Sequence, residues 1–311
     1  MSIFEGKSAD PRDPRASSIL VAGDRPVAGG AVLLGLPFDS SIPSRPGARM
    51  GPRAFREALP SLTTFGRGIN LEPASCMDLG DLDLPPTSVQ RSHQRVEEAA
   101  REIFAIGAFP FFIGGDNGLT GALIRGLAAA RPALRLGLCV IDAHYDVREY
   151  DDEESLSSGT PYRRALETAI CDGSRMTIVG TRDFANAAHY HRYVRTMGVT
   201  TVPVDEFDRR GAQEIAAEVR RRLEETSDAL FLSIDIDAVT AGEAPGSSAA
   251  APGGLRSREA IAFVREFAAS PKLIGADLSE LSPPWDVQAM TAKLAARLFL
   301  EIMAGRVLRA L

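Results

Sequence analysis

The stretch LGLCVIDAHYD (136–146) decides the fold, and ALFLSIDID (229–237) repeats its pattern. Each begins with an uncharged, mainly apolar run and then changes abruptly to acidic residues. Such runs are typical of strands that are buried on both faces of a parallel sheet. Because the carboxyl ends of these strands form the ligand crevice of an open α/β sheet, the acidic residues of both stretches are predicted to meet there.

Five further apolar runs and four amphipathic segments extend this pattern along the chain. The runs are AVLLGL (31–36), FFIGG (111–115), MTIVG (176–180), TTVPV (200–204) and LIGAD (273–277). The segments place apolar residues three and four positions apart, as helices do, and cover 92–106, 212–225, 257–269 and 291–304. The alternation predicts an α/β fold of three layers, αβα, with a mainly parallel central sheet.

The domain organisation follows from composition along the chain. Residues 1–30 are rich in Pro, Asp, Ser and Gly and are predicted to form an N-terminal arm. No convincing linker divides residues 31–311, which are therefore expected to form one domain. The stretch 241–254 is rich in Gly, Ala, Ser and Pro, but it directly follows a predicted strand and is expected to be an active-site loop.

Charge and cysteine content narrow the classes of partner. The 311 residues include 35 Lys and Arg against 41 Asp and Glu, so the net charge of −6 offers no positive field for nucleic acid or anionic lipid. The three cysteines are widely spaced and do not suggest a disulfide framework. No signal peptide pattern and no apolar run of roughly 20 residues occurs. A cytoplasmic protein without nucleic-acid or membrane partners is expected.

Acidic side chains follow four of the predicted strands, and they carry the functional argument. They are Asp116, Asp142 and Asp146 with His144 between them, Asp235 and Asp237, and Glu280. In an extended backbone, the spacing of two residues points the members of each pair or triplet to one side. Converging carboxylates would raise one another's pKa unless a cation neutralised them. The pattern therefore predicts a metal site built from Asp142, His144, Asp146, Asp235 and Asp237.

The alternatives to a metal site are weaker. A single DxD is more often a helix cap or a surface pair, and a lone histidine is more often structural, as expected for His93, His189 and His191. DxHxD and DxD at two strand ends together favour metal binding. Carboxylates with an imidazole suit Mn²⁺, and Zn²⁺, Fe²⁺, Ni²⁺ or Co²⁺ also fit this ligand type. Two ions about 3.5–4 Å apart would activate a shared water for hydrolysis.

With these residues identified, the sequence resembles the arginase, agmatinase and formimidoylglutamase family from about Val32 to the C-terminus. The family motifs SRPGAR-x-GP, GGDH, DAHxD, SxDxD and VEVxPxxD have counterparts in the same order. These are SRPGARMGPRAFREAL (44–59), GGDN (114–117), DAHYD (142–146), SIDID (233–237) and LSELSPPWD (278–286).

The resemblance implies a site that binds two metal ions with unequal affinity. Asp142 and Asp235 are similar to the bridging ligands, His144 and Asp237 to those that complete one ion, and Asp146 with position 117 to those that complete the other. Asn117 stands where the family usually has a histidine, and an amide oxygen is a neutral, weaker ligand. The ion beside Asn117 is therefore expected to be weak or absent.

Two other departures separate branches of the family. Ser158 replaces a histidine that arginase-like and agmatinase-like members carry, and Thr240 replaces an acid that usually follows SxDxD. Serine in SSGTPYRRALE (157–167) resembles the formimidoylglutamases. So do GTRDFANAAHYHRYVRTMGV (180–199) and APGSSAAAPGGL (244–255).

The formimidoylglutamase resemblance implies hydrolysis of N-formimidoyl-L-glutamate to L-glutamate and formamide, a step of histidine degradation. It implies catalytic roles for Asp142, His144 and Glu280, and substrate binding by Ser158 and Glu280. A dicarboxylate substrate also needs a cation, and Arg182, after the run 176–180, is the candidate because a guanidinium grips a carboxylate bidentately. A structural arginine is the alternative. Arg45 and Arg49 are expected to be structural or to lie at a subunit interface.

Two other functions remain open at this point. One is a ureohydrolase, such as an agmatinase, that releases urea from a guanidino compound. The other is a non-catalytic partner subunit whose metal site has decayed at Asn117 and Thr240. The family resemblance also implies a homo-oligomer, a trimer or hexamer, while the partner-subunit hypothesis would allow a hetero-oligomer.

Overall fold

The computed structural model describes residues 10–72 and 74–310. Within them the strands are β1 Leu20–Ala22, β2 Ala31–Leu36, β3 Phe65–Gly66, β4 Ile69–Asn70, β5 Cys76–Asp81, β6 Phe109–Gly114, β7 Leu136–Ile141, β8 Cys171–Thr181, β9 Thr200–Pro203, β10 Ala229–Asp235 and β11 Leu273–Ser279. The α-helices are α1 Gly51–Ala58, α2 Val89–Ile106, α3 Gly118–Ala130, α4 Pro161–Leu166, α5 Ala188–Thr196, α6 Val204–Arg210, α7 Ala212–Thr226, α8 Ser257–Phe267 and α9 Met290–Ala310.

Nine strands form one parallel sheet in the order β1-β5-β2-β6-β11-β10-β7-β8-β9, while β3 and β4 pair as a separate antiparallel hairpin. The four central strands β6, β11, β10 and β7 are neighbours. All the segments that carry the predicted site residues 116–117, 142–146, 235–237 and 280 follow or end these four strands. The fold therefore brings them to the middle of one sheet edge.

Successive side chains of a central strand enter different cores. In β7, Cys139 and Ile141 pack into one core, and Leu138 and Val140 pack into the other. The first core is closed by α1, α7, α8 and α9, and the second by α2, α3, α4 and α5. This two-sided burial explains the uninterrupted apolar runs, and it confirms the predicted three-layer α/β architecture.

All seven predicted strands and all four predicted helices are present, but the pattern did not reveal several elements. Helix α3 carries three glycines, and Gly126 lies so close to α2 that a Cβ there would stand 2.4 Å from the carbonyl oxygen of Glu97. The glycine that weakens the helical signal is thus what allows α2 and α3 to pack closely. Strand β5 lies near the sheet edge and is only partly buried, so it lacks a continuous apolar run.

The segment predicted to be an arm is joined to the sheet over part of its length. Ala16 and Ile19 are buried in the first core, and β1 pairs in parallel with β5. Residues 1–9 of that segment lie outside the described residues. None of the helices formed by the residues that the structure describes has both the length and the apolar character needed to cross a membrane.

Candidate metal centre

Two sets of metal-binding groups meet at the carboxyl edge of the central strands. One set is Asp142, His144 and Asp237, and the other is Asp142, Asp146 and Asp235; within each, the ligand atoms lie within 4.8 Å of one another. Asp142 belongs to both sets. The five residues predicted as ligands are therefore brought together, and they divide into two halves that share one carboxylate.

Tight turns, rather than extended strands, aim these side chains. Strand β7 ends at Ile141, and the backbone N–H of His144 donates to Oδ1 of Asp142 at 2.6 Å. In the same way, the N–H of Asp237 donates to Oδ1 of Asp235 at 2.8 Å as a 3₁₀ turn begins. The spacing of two thus brings the side chains together because the first aspartate of each motif folds the backbone around its own carboxylate.

The half that contains the imidazole is compact. Nδ1 of His144 lies 3.1 Å from Oδ2 of Asp237 and 3.5 Å from Oδ1 of Asp142. Oδ1 of Asp237 is buried and has no hydrogen-bond partner among the described residues. A buried carboxylate oxygen without a partner is costly, and a cation is one of the groups that can satisfy it.

The electrostatics of the cluster also favour a cation. Burial, followed by the charge of neighbouring carboxylates, raises the pKa of Asp142 and Asp235 well above the usual range. Burial also raises the pKa of Asp146 to about 7. The pKa of His144 rises to about 11, because hydrogen bonds to Asp142 and Asp237 outweigh the opposing effect of burial. Buried acids that repel one another in this way fit a divalent cation, which relieves both burial and repulsion.

Asn117 lies at the centre of the second half and is fully buried. Its Nδ2 donates to Asp146 at 2.9 Å and to Asp142 at 3.2 Å. Its Oδ1 accepts from the hydroxyls of Thr120 and Ser279, each at 3.2 Å. The amide oxygen was predicted to be a weak metal ligand, but in this arrangement it faces hydroxyl donors, and the amide nitrogen faces the carboxylates.

Glu280 lies beside the carboxylates at the end of β11 and is buried. Oε1 accepts from the backbone N–H of Asn117 at 2.8 Å, and Oε2 accepts a short hydrogen bond from Ser248. Its backbone adopts a left-handed conformation, φ 65°, and its N–H is held by the carbonyl of Gly115 at 2.9 Å. A non-glycine residue in that region costs about 1–3 kcal/mol, so the surrounding contacts must hold it there.

The cleft above this cluster contains several residues that were predicted from the sequence and some that were not. The lining residues are Pro43, Ser44, His144, Asp146, Arg148, Ser158, Gly159, Asp235, Asp237, Ser248, Ala249 and Glu280. Ser158 is one of these lining residues, and its role in substrate binding stays a prediction. Ser248 and Ala249 come from the loop 241–254. Arg45 supports this loop by donating to the carbonyls of Ser247 and Ser248.

Arg148, not Arg182, is the arginine that lines the cleft. Arg182 is buried, and its guanidinium donates to the carbonyl of Ala251 at 2.9 Å, which matches the structural alternative. The side chain of Arg148 lies across Gly159, where a Cβ would stand 2.6 Å from its Cδ. The signal for Arg148 in the sequence is its position two residues after Asp146, just outside the DAHYD motif (142–146).

A parallel sheet with buried carboxylates and one imidazole at its carboxyl edge defines a metal-binding α/β protein. The model of the arginase family matches residues 30–305, and the chain belongs to that family. It is 35% identical to the formimidoylglutamase of Halobacterium salinarum over 96% of each chain.

Solved structures agree with this assignment. Formimidoylglutamase from Bacillus subtilis superposes with a TM-score of 0.91 at 27% identity, covering 98% of this chain and 95% of that one. Formiminoglutamase from Trypanosoma cruzi, solved with Mn²⁺, superposes with a TM-score of 0.86 at 27% identity, covering 94% and 98%. Both relatives share the fold over nearly the whole length of this chain.

Proposed function

We propose that this protein is a metal-dependent amidine hydrolase that converts N-formimidoyl-L-glutamate and water to L-glutamate and formamide. The observation that carries the proposal is the mixed charge of the cleft lining. Glu280, Asp146, Asp235 and Asp237 line the cleft, and Arg148 lines the same cleft. A cationic amidine joined to a dicarboxylate fits this lining, with the amidine beside the carboxylates and a carboxylate of the substrate beside Arg148.

The metal proposal is two Mn²⁺ ions, of which one would be held by Asp142, His144 and Asp237 and the other by Asp142, Asp146 and Asp235. The family resemblance would make Asp235 a second shared ligand. The distances within the two sets, the unpartnered oxygen of Asp237 and the Mn²⁺ in the Trypanosoma relative support the proposal of two ions. When bound, such ions supply the positive charge that makes a water nucleophilic near neutral pH. The ion on the Asn117 side is the weaker one, because this position offers no imidazole.

The protein's own residues orient the substrate for this attack. Glu280, held by Ser248 and by the N–H of Asn117, would pair with the cationic amidine and keep it beside the metal-site carboxylates. Water adds to that carbon, and the bond to the glutamate nitrogen breaks. Glutamate leaves as the amine, and the amidine carbon leaves as formamide.

Arg148 is proposed to bind a carboxylate of the glutamate portion, in place of Arg182. It lines the cleft beside Ser158, and it forms no ion pair among residues 10–72 and 74–310. An arginine without a carboxylate partner at the mouth of a cleft is free to bind one from a ligand. This role would also explain Gly159, since a larger residue there would displace the Arg148 side chain.

Product analysis tests the proposal against its two rivals. Protein loaded with Mn²⁺ is expected to release formamide and glutamate in equal amounts from formimidoylglutamate, and no urea from agmatine or guanidino acids. Urea from a guanidino compound without formamide would instead establish the ureohydrolase. Failure to turn over any of these substrates with Mn²⁺, Co²⁺, Ni²⁺, Fe²⁺ or Zn²⁺, combined with no bound metal, would establish a non-catalytic subunit.

Cellular context completes the proposal. A role in histidine degradation follows from the substrate, and a reducing cytoplasm suits Cys76, Cys139 and Cys171, which are all buried and free. A homo-oligomer, trimeric or hexameric, rests on the family resemblance alone. Light scattering of the purified protein distinguishes it from a monomer, and a requirement for a second kind of chain would indicate the hetero-oligomer.

A further inference from the structure

Asn186 holds the backbone on both sides of His144. Its Oδ1 accepts from the N–H of Tyr145 at 2.8 Å, and its Nδ2 donates to the carbonyl of Ala143 at 3.0 Å. The carboxamide of Asn186 thus bonds to the backbone carbonyl of the residue before His144 and to the backbone N–H of the residue after it. Asn186 ends the sequence FAN (184–186), which the proposed chemistry leaves without a role.

These two bonds continue the sheet beyond its last strand pair. The β7–β8 ladder ends at Ile141 and Val179, and two further backbone bonds join Asp142 to Val179 and Arg182 to Ala143. The chain then turns away, and the N–H of Tyr145 has no backbone partner in the neighbouring strand. The side chain of Asn186 takes the place of that missing strand, because buried backbone groups must be paired.

The position of this support matters because His144 lies in a turn, where its own backbone bond is that of its N–H to Asp142. Its imidazole is partly exposed, and its Nδ1 reaches Asp237 and Asp142 from a turn that lies outside any strand. Asp146 follows directly with a left-handed backbone, φ 45°. A small rotation of the peptides at Ala143 and Tyr145 would therefore move the imidazole away from the carboxylates that it must face.

Tyr145 provides an internal comparison. Its hydroxyl pairs with Nδ1 of His191, on helix α5, at 3.0 Å. This contact also joins the stretch around His144 to the chain beyond β8, but it acts through the hydroxyl of Tyr145 and not through the two backbone bonds of Asn186. Loss of the hydroxyl should therefore loosen the packing without altering the direction of the imidazole.

We propose that Asn186 is a positioning residue of the metal centre, which fixes the direction of His144 through its paired hydrogen bonds to Ala143 and Tyr145. The inference rests on the proposed function only in requiring that the site binds Mn²⁺. Residues that orient a metal ligand in this way typically change metal affinity about 10–100-fold when they are removed.

The test compares Mn²⁺ binding by the parent with that of Asn186→Leu, which has similar volume but neither hydrogen bond, and with Asn186→Ala. Titration calorimetry well below the unfolding temperature should show the tighter Kd weakened about 10–100-fold in both variants and changed less than threefold in Tyr145→Phe. With Co²⁺ as the probe, the visible absorption band should shift in the Asn186 variants and stay unchanged in Tyr145→Phe.

Thermal unfolding of the metal-free proteins separates positioning from simple stability. If both Asn186 variants unfold at lower temperature but bind Mn²⁺ as tightly as the parent, the positioning role is wrong and Asn186 is only structural. If the parent binds Mn²⁺ but does not hydrolyse formimidoylglutamate, the proposed function fails while the binding comparison still decides the role of Asn186. A parent that binds no Mn²⁺ would overturn both.

Discussion

The half of the site around His144 and the half around Asn117 share Asp142 but differ in what faces that carboxylate. In the first half a histidine nitrogen points at Asp142 and Asp237. In the second, an amide N–H₂ points at Asp142 and Asp146. An imidazole can give up its proton and bind a metal, whereas an amide nitrogen can only donate. Equivalent places beside one carboxylate can therefore serve metal ions of very different affinity.

The largest effect should come from Asp142, because it belongs to both halves. We expect Asp142→Asn to lose both ions and to lower kcat/KM at least about a thousandfold, since several kcal/mol of charge stabilisation disappear. Elemental analysis and steady-state kinetics measure the two effects. Asp205→Asn, an exposed acid on α6, serves as the matched control and should change neither. Retention of two ions by Asp142→Asn would show that the halves do not share this ligand.

A substitution of Arg148 tests whether a carboxylate of the substrate binds beside the half of the site that contains Asn117. Arg148 follows Asp146, a member of that half, by two residues. Loss of a hydrogen bond between charged groups costs about 1.5–3 kcal/mol, so Arg148→Gln should raise KM about 10–100-fold. The kcat should change little, because this contact is equally strong in the ground and transition states. If Arg182→Gln gives this pattern and Arg148→Gln does not, the assignment reverses.

A substitution of Asn117 tests why the two proposed Mn²⁺ ions differ in affinity. Asn117→His restores an imidazole beside Asp142 and Asp146, and we expect the weaker Mn²⁺ to bind about tenfold more tightly or better. Titration calorimetry follows both sites in one experiment, and the tighter site should stay within threefold. An unchanged weaker site would mean that the amide is not the cause of the difference.

The smallest effect is expected from Asp277, which contacts Asn117 indirectly, through the hydroxyl of Thr120. The hydroxyl of Thr120 lies 3.2 Å from Oδ1 of Asn117 and 2.7 Å from Oδ2 of Asp277, and burial raises the pKa of Asp277 to about 7. The unfolded value is near 3.9, so the folded state favours the protonated form. The contribution of Asp277 to the free energy of unfolding is complete below about pH 4 and is lost as the pH rises toward 7.

The side chain in Asp277→Asn cannot ionise. We therefore expect the Tm of this variant to fall less between pH 5 and pH 8 than the Tm of the parent. Its Tm relative to the parent should be at least about 2 °C higher at pH 8 than at pH 5. Differential scanning calorimetry of the metal-free proteins measures this difference. A parallel pH dependence of the two proteins would show that Asp277 does not titrate in this range.

Sequence alone predicted that the acidic strand ends meet but not the order of the strands or the arrangement of the second half. Uncharged runs placed β7 and β10 in a parallel sheet, because burial follows from local pattern, and parallel strands present their carboxyl ends, here Asp142 and Asp235, at one edge. The direction of the Asn117 amide depends on Thr120 and Ser279, which come from two different elements. Contacts between distant segments leave no local signal.

For the same reason, no local pattern in the sequence indicates the positions of Arg148 and Asn186. Arg148 lines the cleft only because the chain after Asp146 turns and runs across Gly159. Asn186 reaches Ala143 only because β8 ends beside β7. Arg182 was a reasonable candidate from its place at a strand end, but its side chain turns toward Ala251 in the neighbouring loop. Side-chain direction in loops depends on packing that apolar periodicity does not encode.

Titration calorimetry of the metal-free protein with Mn²⁺, repeated on Asp237→Asn and Asp146→Asn, tests the two unequal halves most directly. We expect two ions per chain in the parent, one bound tightly and one more weakly. The tight ion should be lost in Asp237→Asn, and the weaker one in Asp146→Asn. Two ions of equal affinity, or loss of the same ion in both variants, would contradict the division of the site.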